Sequence, residues 1–169
     1  ITSYMLNAML NFSGLYGNLF ACRDKDGSFL GVVTIVPPYK SHTLFFLHFA
    51  RSVMTLGRPP SYSWGKDATA RFDAFNACME EHKNAMKGVS HYYIPLVGVS
   101  EAAQGKGVGR KLLQTAKIVA DNVPFYLDCH DGNVAFYEKQ GMAHRTNYPM
   151  VPKGFEEDKF SYNGMTFGL

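Results

Sequence analysis

Apolar and polar positions along this chain switch repeatedly between a helical period and a strand period. Residues 4–12 carry a mixed helical pattern, and residues 18–24 and 28–36 then read as strands around Asp26-Gly27, so a hairpin is predicted there. Pro37 and Pro38 end its second strand, because proline has no N–H for a sheet ladder. A helix is predicted over 42–56. Over 67–87, Phe72, Phe75, Met79, His82 and Met86 recur at three- and four-residue steps, which puts them on one helical face. That face is expected to be core, with His82 packed in it rather than ligating.

The second half has a sharper rhythm. Residues 91–100, HYYIPLVGVS, are β-formers with Pro95 inside, so this strand must be interrupted or bulged near its middle. Val108, Leu112, Ala116 and Val119 lie on one face of a helix over 107–120, which ends at 122–124. A short buried strand is predicted at 125–128, and a short helix at 133–140, capped by Asn133 and stopped by Gly141. Residues 142–148 and 160–167 are the closing strands. The stretch 57–65, GRPPSYSWG, reads as a loop bordering a substrate cleft. This order of elements predicts a mixed α/β fold.

Composition narrows the class. The 169 residues are 46% hydrophobic and 18% charged, with 13 phenylalanines and 10 tyrosines, which suits a single globular domain spanning 1–169 with a sizeable core. A formal net charge of +3, with basic residues scattered except for Lys106, Arg110 and Lys111, argues against a nucleic-acid partner but leaves room for a local anion site. Three cysteines without metal-finger spacing argue against a disulfide framework or structural zinc and suit a reducing compartment, the cytoplasm. No run approaches the roughly 20 apolar residues of a bilayer span, so no membrane partner is expected. The chain opens at Ile1 and shows no signal peptide, so a truncated N-terminus is expected.

The segment GVSEAAQGKGVGRKLL joins a strand, a glycine-rich turn and a helix start. Glycines at 105, 107 and 109 let backbone approach a ligand without β-carbon clashes, and the helix start presents unpaired amides at the positive end of its dipole. A phosphate-bearing ligand is implied. A P-loop is excluded by spacing, since no glycine lies five residues before Gly105 and no Ser or Thr follows Lys106. The dinucleotide fingerprint GxGxxG fits poorly, because Gly105, Gly107 and Gly109 give GxGxG without repeated βαβ halves.

The turn matches QxxGxG, as Gln104-Gly105-Lys106-Gly107-Val108-Gly109, and here the chain resembles the GNAT superfamily of N-acetyltransferases. Upstream, HYYIPLVGV is similar to that family's fourth strand. Downstream, FYLDCHDGNVAFYEKQGM is similar to its fifth strand, Asn-led helix and tyrosine. The resemblance implies a GNAT-type mixed, mostly antiparallel twisted sheet of about six or seven strands flanked by helices, splayed at the cofactor site. It implies acetyl-CoA as the acyl donor, its pyrophosphate on the amides of Gln104, Gly105, Lys106, Gly107, Val108 and Gly109, with Arg110 and Lys111 adding positive charge. It further implies pantetheine along Val97, Gly98 and Val99, whose amides would polarise the thioester carbonyl, and contacts from Asn133 and Phe136. Tyr137, one helical turn beyond Asn133, would protonate the departing thiolate.

The base that takes the amine's proton stays open: His91 at the strand start is the first candidate, with His130 and Asp128 behind it. The HYY start and GV ending of the strand are similar to puromycin-type small-molecule acetyltransferases, from which Pro95 and Val97 depart, so a small-molecule amine is the expected acceptor. A homodimer is compatible with this reading. Two other classes stay in view, a non-catalytic acyl-CoA sensor and a dinucleotide-dependent oxidoreductase. Cys129 reads as a small buried residue rather than a nucleophile.

Overall fold

The structure, a computed structural model, describes residues 2–38, 42–57 and 65–169. Residues 58–64 of the expected loop lie outside that set, as do the side chains of Phe72, Met79 and His82 on the expected helical stripe. The chain forms two compact units, each built from two separate stretches: Ile1–Ser61 with Tyr92–Val123, and Tyr62–His91 with Pro124–Leu169.

The first unit contains α1 (Thr2–Tyr16), β1 (Asn18–Arg23), β2 (Phe29–Val36), α2 (His42–Thr55), β3 (Tyr92–Val99) and α4 (Val108–Ala120). The predicted hairpin forms because Asp24 organises its turn: its carboxylate accepts from the amides of Asp26 at 3.0 Å and Ser28 at 2.8 Å, and Gly27 takes the left-handed conformation. Strands β1, β2 and β3 pair antiparallel in that order. Thr34 pairs with Leu96 and Val36 with Tyr93, so three steps on β3 span two on β2. The extra residue falls at Ile94-Pro95, the bulge that proline requires. Helix α4 crosses β2 at Gly31, where a β-carbon would meet the Gly98 carbonyl at 2.6 Å and the side chains of Leu112 and Val108 at 3.2 Å. Helices α1 and α2 are tied by Ser52, fully buried, whose hydroxyl donates to the Ala8 carbonyl.

The second unit contains α3 (Lys66–Ala85), β4 (Phe125–His130), α5 (Val134–Lys139), β5 (Ala143–Met150) and β6 (Phe160–Phe167). Here β6 lies between β4 and β5, and both pairings are antiparallel. Cys78 of α3 packs on Tyr148 and Met150 of β5, with Phe75, Phe160 and Tyr162 around them. The Tyr148 hydroxyl donates to the Glu81 carbonyl at 3.1 Å, fastening helix to strand. The described residues thus hold six strands and five α-helices in a mixed α/β fold with mostly antiparallel pairing. No described helix is long and apolar enough to cross a membrane.

Candidate functional site

In the first unit, β3 leads into a 3-10 turn at Glu101–Ala103 and then into the glycine turn. Ala103, almost fully buried, anchors that corner, and its carbonyl accepts from the Lys106 amide at 3.3 Å. The Gln104 amide donates to Glu101 at 3.1 Å. Two of the amides expected to bind phosphate are therefore spent inside the turn. Among the described residues, the amides of Gly105, Gly107, Val108, Gly109 and Arg110 have no protein acceptor.

Local backbone chemistry explains this. Gly105 and Gly107 have φ of 73° and 78°, a region that costs other residues a β-carbon clash. Gly107 is the N-cap of α4, so the following amides belong to the first helical turn and lack intrahelical partners. Gly109 already lies inside α4 and makes no part of the turn. Lys106, Arg110 and Lys111 are exposed around these amides, while Val108 is buried beneath.

On β3, Val97, Gly98 and Val99 face Val33, Val32 and Gly31. The Ser100 amide donates to the Leu30 carbonyl at 2.9 Å. In an antiparallel ladder hydrogen-bonded pairs alternate, so Gly98 bonds to β2 while the amides of Val97 and Val99 point to the strand's other edge.

In the second unit, β4 ends in a 3-10 turn, Asp131–Asn133, that runs directly into α5. The expected helix cap is corrected here: Asn133 makes no side-chain capping bond. Its backbone, at φ −102° and ψ −10°, is already helical as the end of the 3-10 turn, whereas a capping side chain needs an extended backbone. The turn is capped instead by His130, whose Nδ1 accepts from the Gly132 amide, and the His130 ring stacks on Phe160 at 5.5 Å. The Asn133 side chain is exposed and makes no hydrogen bond among the described residues.

Tyr137 is 7% exposed and meets Phe136 edge to face at 5.1 Å. Its hydroxyl has no hydrogen-bond partner among the described residues. Burial, and then the neighbouring Cys129, push its hydroxyl up to about 12. Cys129 is itself buried, and burial together with Asp128 and Asp131 pushes its thiol up to about 12. A thiol so reluctant to ionise is no nucleophile at neutral pH.

His91 precedes β3 and lies in the second unit, edge-on to Tyr126 at 6.3 Å. Its Nδ1 sits 2.7 Å from the Val89 carbonyl, an acceptor only, so Nδ1 carries the proton and Nε2 is the basic nitrogen of the neutral ring. Asp128 accepts from the Tyr126 hydroxyl at 2.8 Å, and burial with this carboxylate pushes Tyr126 far above its ordinary value. Sequence reasoning missed Tyr126 and also Asn163 in β6, which is 3% exposed and hydrogen-bonded to three side chains. A lone asparagine among the aromatic and small residues of 160–167 was the available signal for the second.

The solved structures similar to this chain share its fold at low identity. They include arylalkylamine N-acetyltransferase 2 from Aedes aegypti (13% identity, TM-score 0.64, covering 99% of this chain and 79% of that one). Polyamine N-acetyltransferase from Drosophila melanogaster matches at 14% identity and TM-score 0.61, over 91% and 76% of the two chains. The histone acetyltransferase HPA2-related protein of Corynebacterium glutamicum matches at 19% identity and TM-score 0.52, over 96% and 74%. No curated protein matches the chain in sequence. The model of the acetyltransferase (GNAT) family matches residues 4–142, a stretch that includes both β3 with its glycine turn and α5. The chain belongs to the GNAT acetyltransferase family.

Proposed function

We propose that this protein moves an acetyl group from acetyl-CoA to the primary amine of a small molecule by direct transfer, the whole chain serving as one catalytic domain. The observation that carries this reading is the row of unpaired amides at Gly105, Gly107, Val108, Gly109 and Arg110, with Lys106, Arg110 and Lys111 exposed beside them. Backbone donors, a helix N-terminus and three cations are what a diphosphate needs. The family's general use of acetyl-CoA supports reading that diphosphate as the cofactor's. Named amine acetyltransferases among the fold relatives support a small amine as acceptor.

The chemistry is an acyl exchange. The amine nitrogen attacks the thioester carbonyl, a C–N bond forms and the C–S bond breaks. The amine's proton goes to a base, for which His91 Nε2 is the candidate, and the leaving thiolate takes a proton from Tyr137. A phenol held to about 12 stays protonated throughout the physiological range, so it arrives as an acid and not as a phenolate. The amides of Val97 and Val99, turned from β2, suit the pantetheine arm and the thioester oxygen.

The test follows free CoA with a thiol reagent over a panel of monoamines, diamines and aromatic amines, with CoA affinity measured in parallel. Amine-dependent release is expected. CoA binding without turnover on any amine would leave a sensor, and NAD binding without CoA binding would leave an oxidoreductase.

A further inference from the structure

The segment from Asp131 to Tyr137 has little means of holding itself. Its 3-10 turn has three residues and α5 has six, lengths at which isolated helices do not persist. Its placement must come from outside ties, and the tightest one runs through a residue some thirty positions later. Asn163, between Cys129 of β4 and Asn147 of β5, donates through Nδ2 to the Asp131 carboxylate at 2.7 Å. Its Oδ1 accepts from Asn147 Nδ2 at 2.9 Å and faces His144 Nε2 at 2.8 Å. Because Asp131 only accepts, the amide can have one orientation, and His144 must present an N–H. A buried amide satisfied on both ends is rigid.

We infer that Asn163 is a positioning residue: it clamps Asp131 to β5 and β6 and thereby holds α5, with Tyr137, in the orientation from which the phenol delivers its proton. The inference rests on the acid role proposed for Tyr137. Cys129, the strand partner of Asn163, is close enough to Tyr137 to oppose its ionisation, which puts clamp and phenol in one neighbourhood.

Four variants, and the second of them combined with the fourth, test it. Asn163→Asp replaces the donor with a carboxylate facing Asp131. Asp131→Ala cuts the same tie at an exposed residue and leaves the buried amide in place, so it reports even if Asn163→Asp fails to fold. Asn163→Asp combined with Asp131→Asn restores the pair with donor and acceptor exchanged. Tyr137→Phe supplies the background in which the clamp should no longer matter. Amide hydrogen exchange over 131–139 is expected to speed up roughly tenfold in the first two variants and to recover in the exchanged pair. The kcat for amine acetylation should fall roughly tenfold with the first two, recover with the exchanged pair, and show no further loss when Asp131→Ala is added to Tyr137→Phe. Unchanged exchange would overturn the clamp, and an undiminished kcat loss in the Tyr137→Phe background would overturn its action through the phenol. The exchange measurement needs no turnover, so an inactive wild type would sink the proposed function while still deciding the clamp.

Discussion

Tyr126 on β4 and Gly164 on β6 share one space: the tyrosine hydroxyl lies where a β-carbon on residue 164 would be, with Thr146 Oγ1 2.5 Å from the same point. Gly164 is the strand partner of Asp128, so its missing side chain is what admits the hydroxyl that donates to the carboxylate. Gly164→Ala should therefore destabilise the protein by about 1–3 kcal/mol, through overpacking and the loss of that hydrogen bond. In a Tyr126→Phe background the nearest of these atoms is gone while Thr146 Oγ1 at 2.5 Å and the ring carbon at 2.8 Å remain, so the same substitution should cost less but still destabilise. Urea midpoints of the four proteins decide it, and equal costs in both backgrounds would show that the two residues do not compete.

Gly107 makes a different claim on glycine. Its φ of 78° is unfavourable for any side chain, yet a β-carbon there would meet nothing nearer than Arg110 Nη2 at 3.8 Å. In the free protein Gly107→Val should cost only the backbone strain, about 1–2 kcal/mol. Its isopropyl group would stand among the unpaired amides, so CoA affinity should drop by a factor of about ten or more, well beyond what the stability loss explains. Calorimetric titration with CoA beside a thermal melt separates the two effects. Normal affinity would remove this turn as the diphosphate site.

What could be read from sequence followed from how local the determining forces are. The helix at 108–120 was legible because its own residues carry the period that burial imposes. The bulge at Pro95 was legible because proline has no N–H to give to a strand ladder. Asn133 was misread as a cap because capping depends on the backbone before the helix, and a 3-10 turn stabilised by His130 had already made that backbone helical. The Asn163 tie was invisible for a related reason: its partners Asp131, His144 and Asn147 are brought to it by strand pairing, not by spacing. His91 was expected on the strand and lies just ahead of it, its ring turned by the Val89 carbonyl.

Tyr137→Phe isolates one oxygen atom. The ring is buried and its contact with Phe136 is retained by phenylalanine, so fold and CoA affinity should hold within about twofold. If the phenol is the proton donor, kcat should fall by about 10²-fold or more. The loss should shrink when CoA is replaced by a thiol carrier with a lower thiol pKa, because a better leaving group needs its proton less. Steady-state rates with the two donors make the comparison, and a kcat equal to wild type would end the acid assignment.

The same burial predicts how the protein fails in alkali. The Cys129 thiol rises from 9.0 to about 12 and the Tyr137 hydroxyl from 10.0 to about 12 in the folded chain. Above pH 9 the unfolded chain releases a cysteine proton that the folded chain keeps, and above pH 10 it also releases a tyrosine proton. Fewer protons on the unfolded state than on the native one make unfolding easier as pH rises, so the stability these groups contribute is intact below pH 9 and drains away toward pH 12. Each group adds a slope of about 1.4 kcal/mol per pH unit while its window lasts. Cys78 is raised by burial as well and adds to the early slope, so Cys129→Ala should flatten the loss just above pH 9 by one proton's worth without abolishing it. Urea unfolding at closely spaced pH values on wild type and variant yields both slopes, with the variant's lower absolute stability from the vacated volume dropping out of the comparison. Identical slopes would mean that Cys129 ionises as easily in the native protein as in the unfolded one, and that the environment assigned to it and to Tyr137 beside it is wetter than the packing of β4 and α5 indicates.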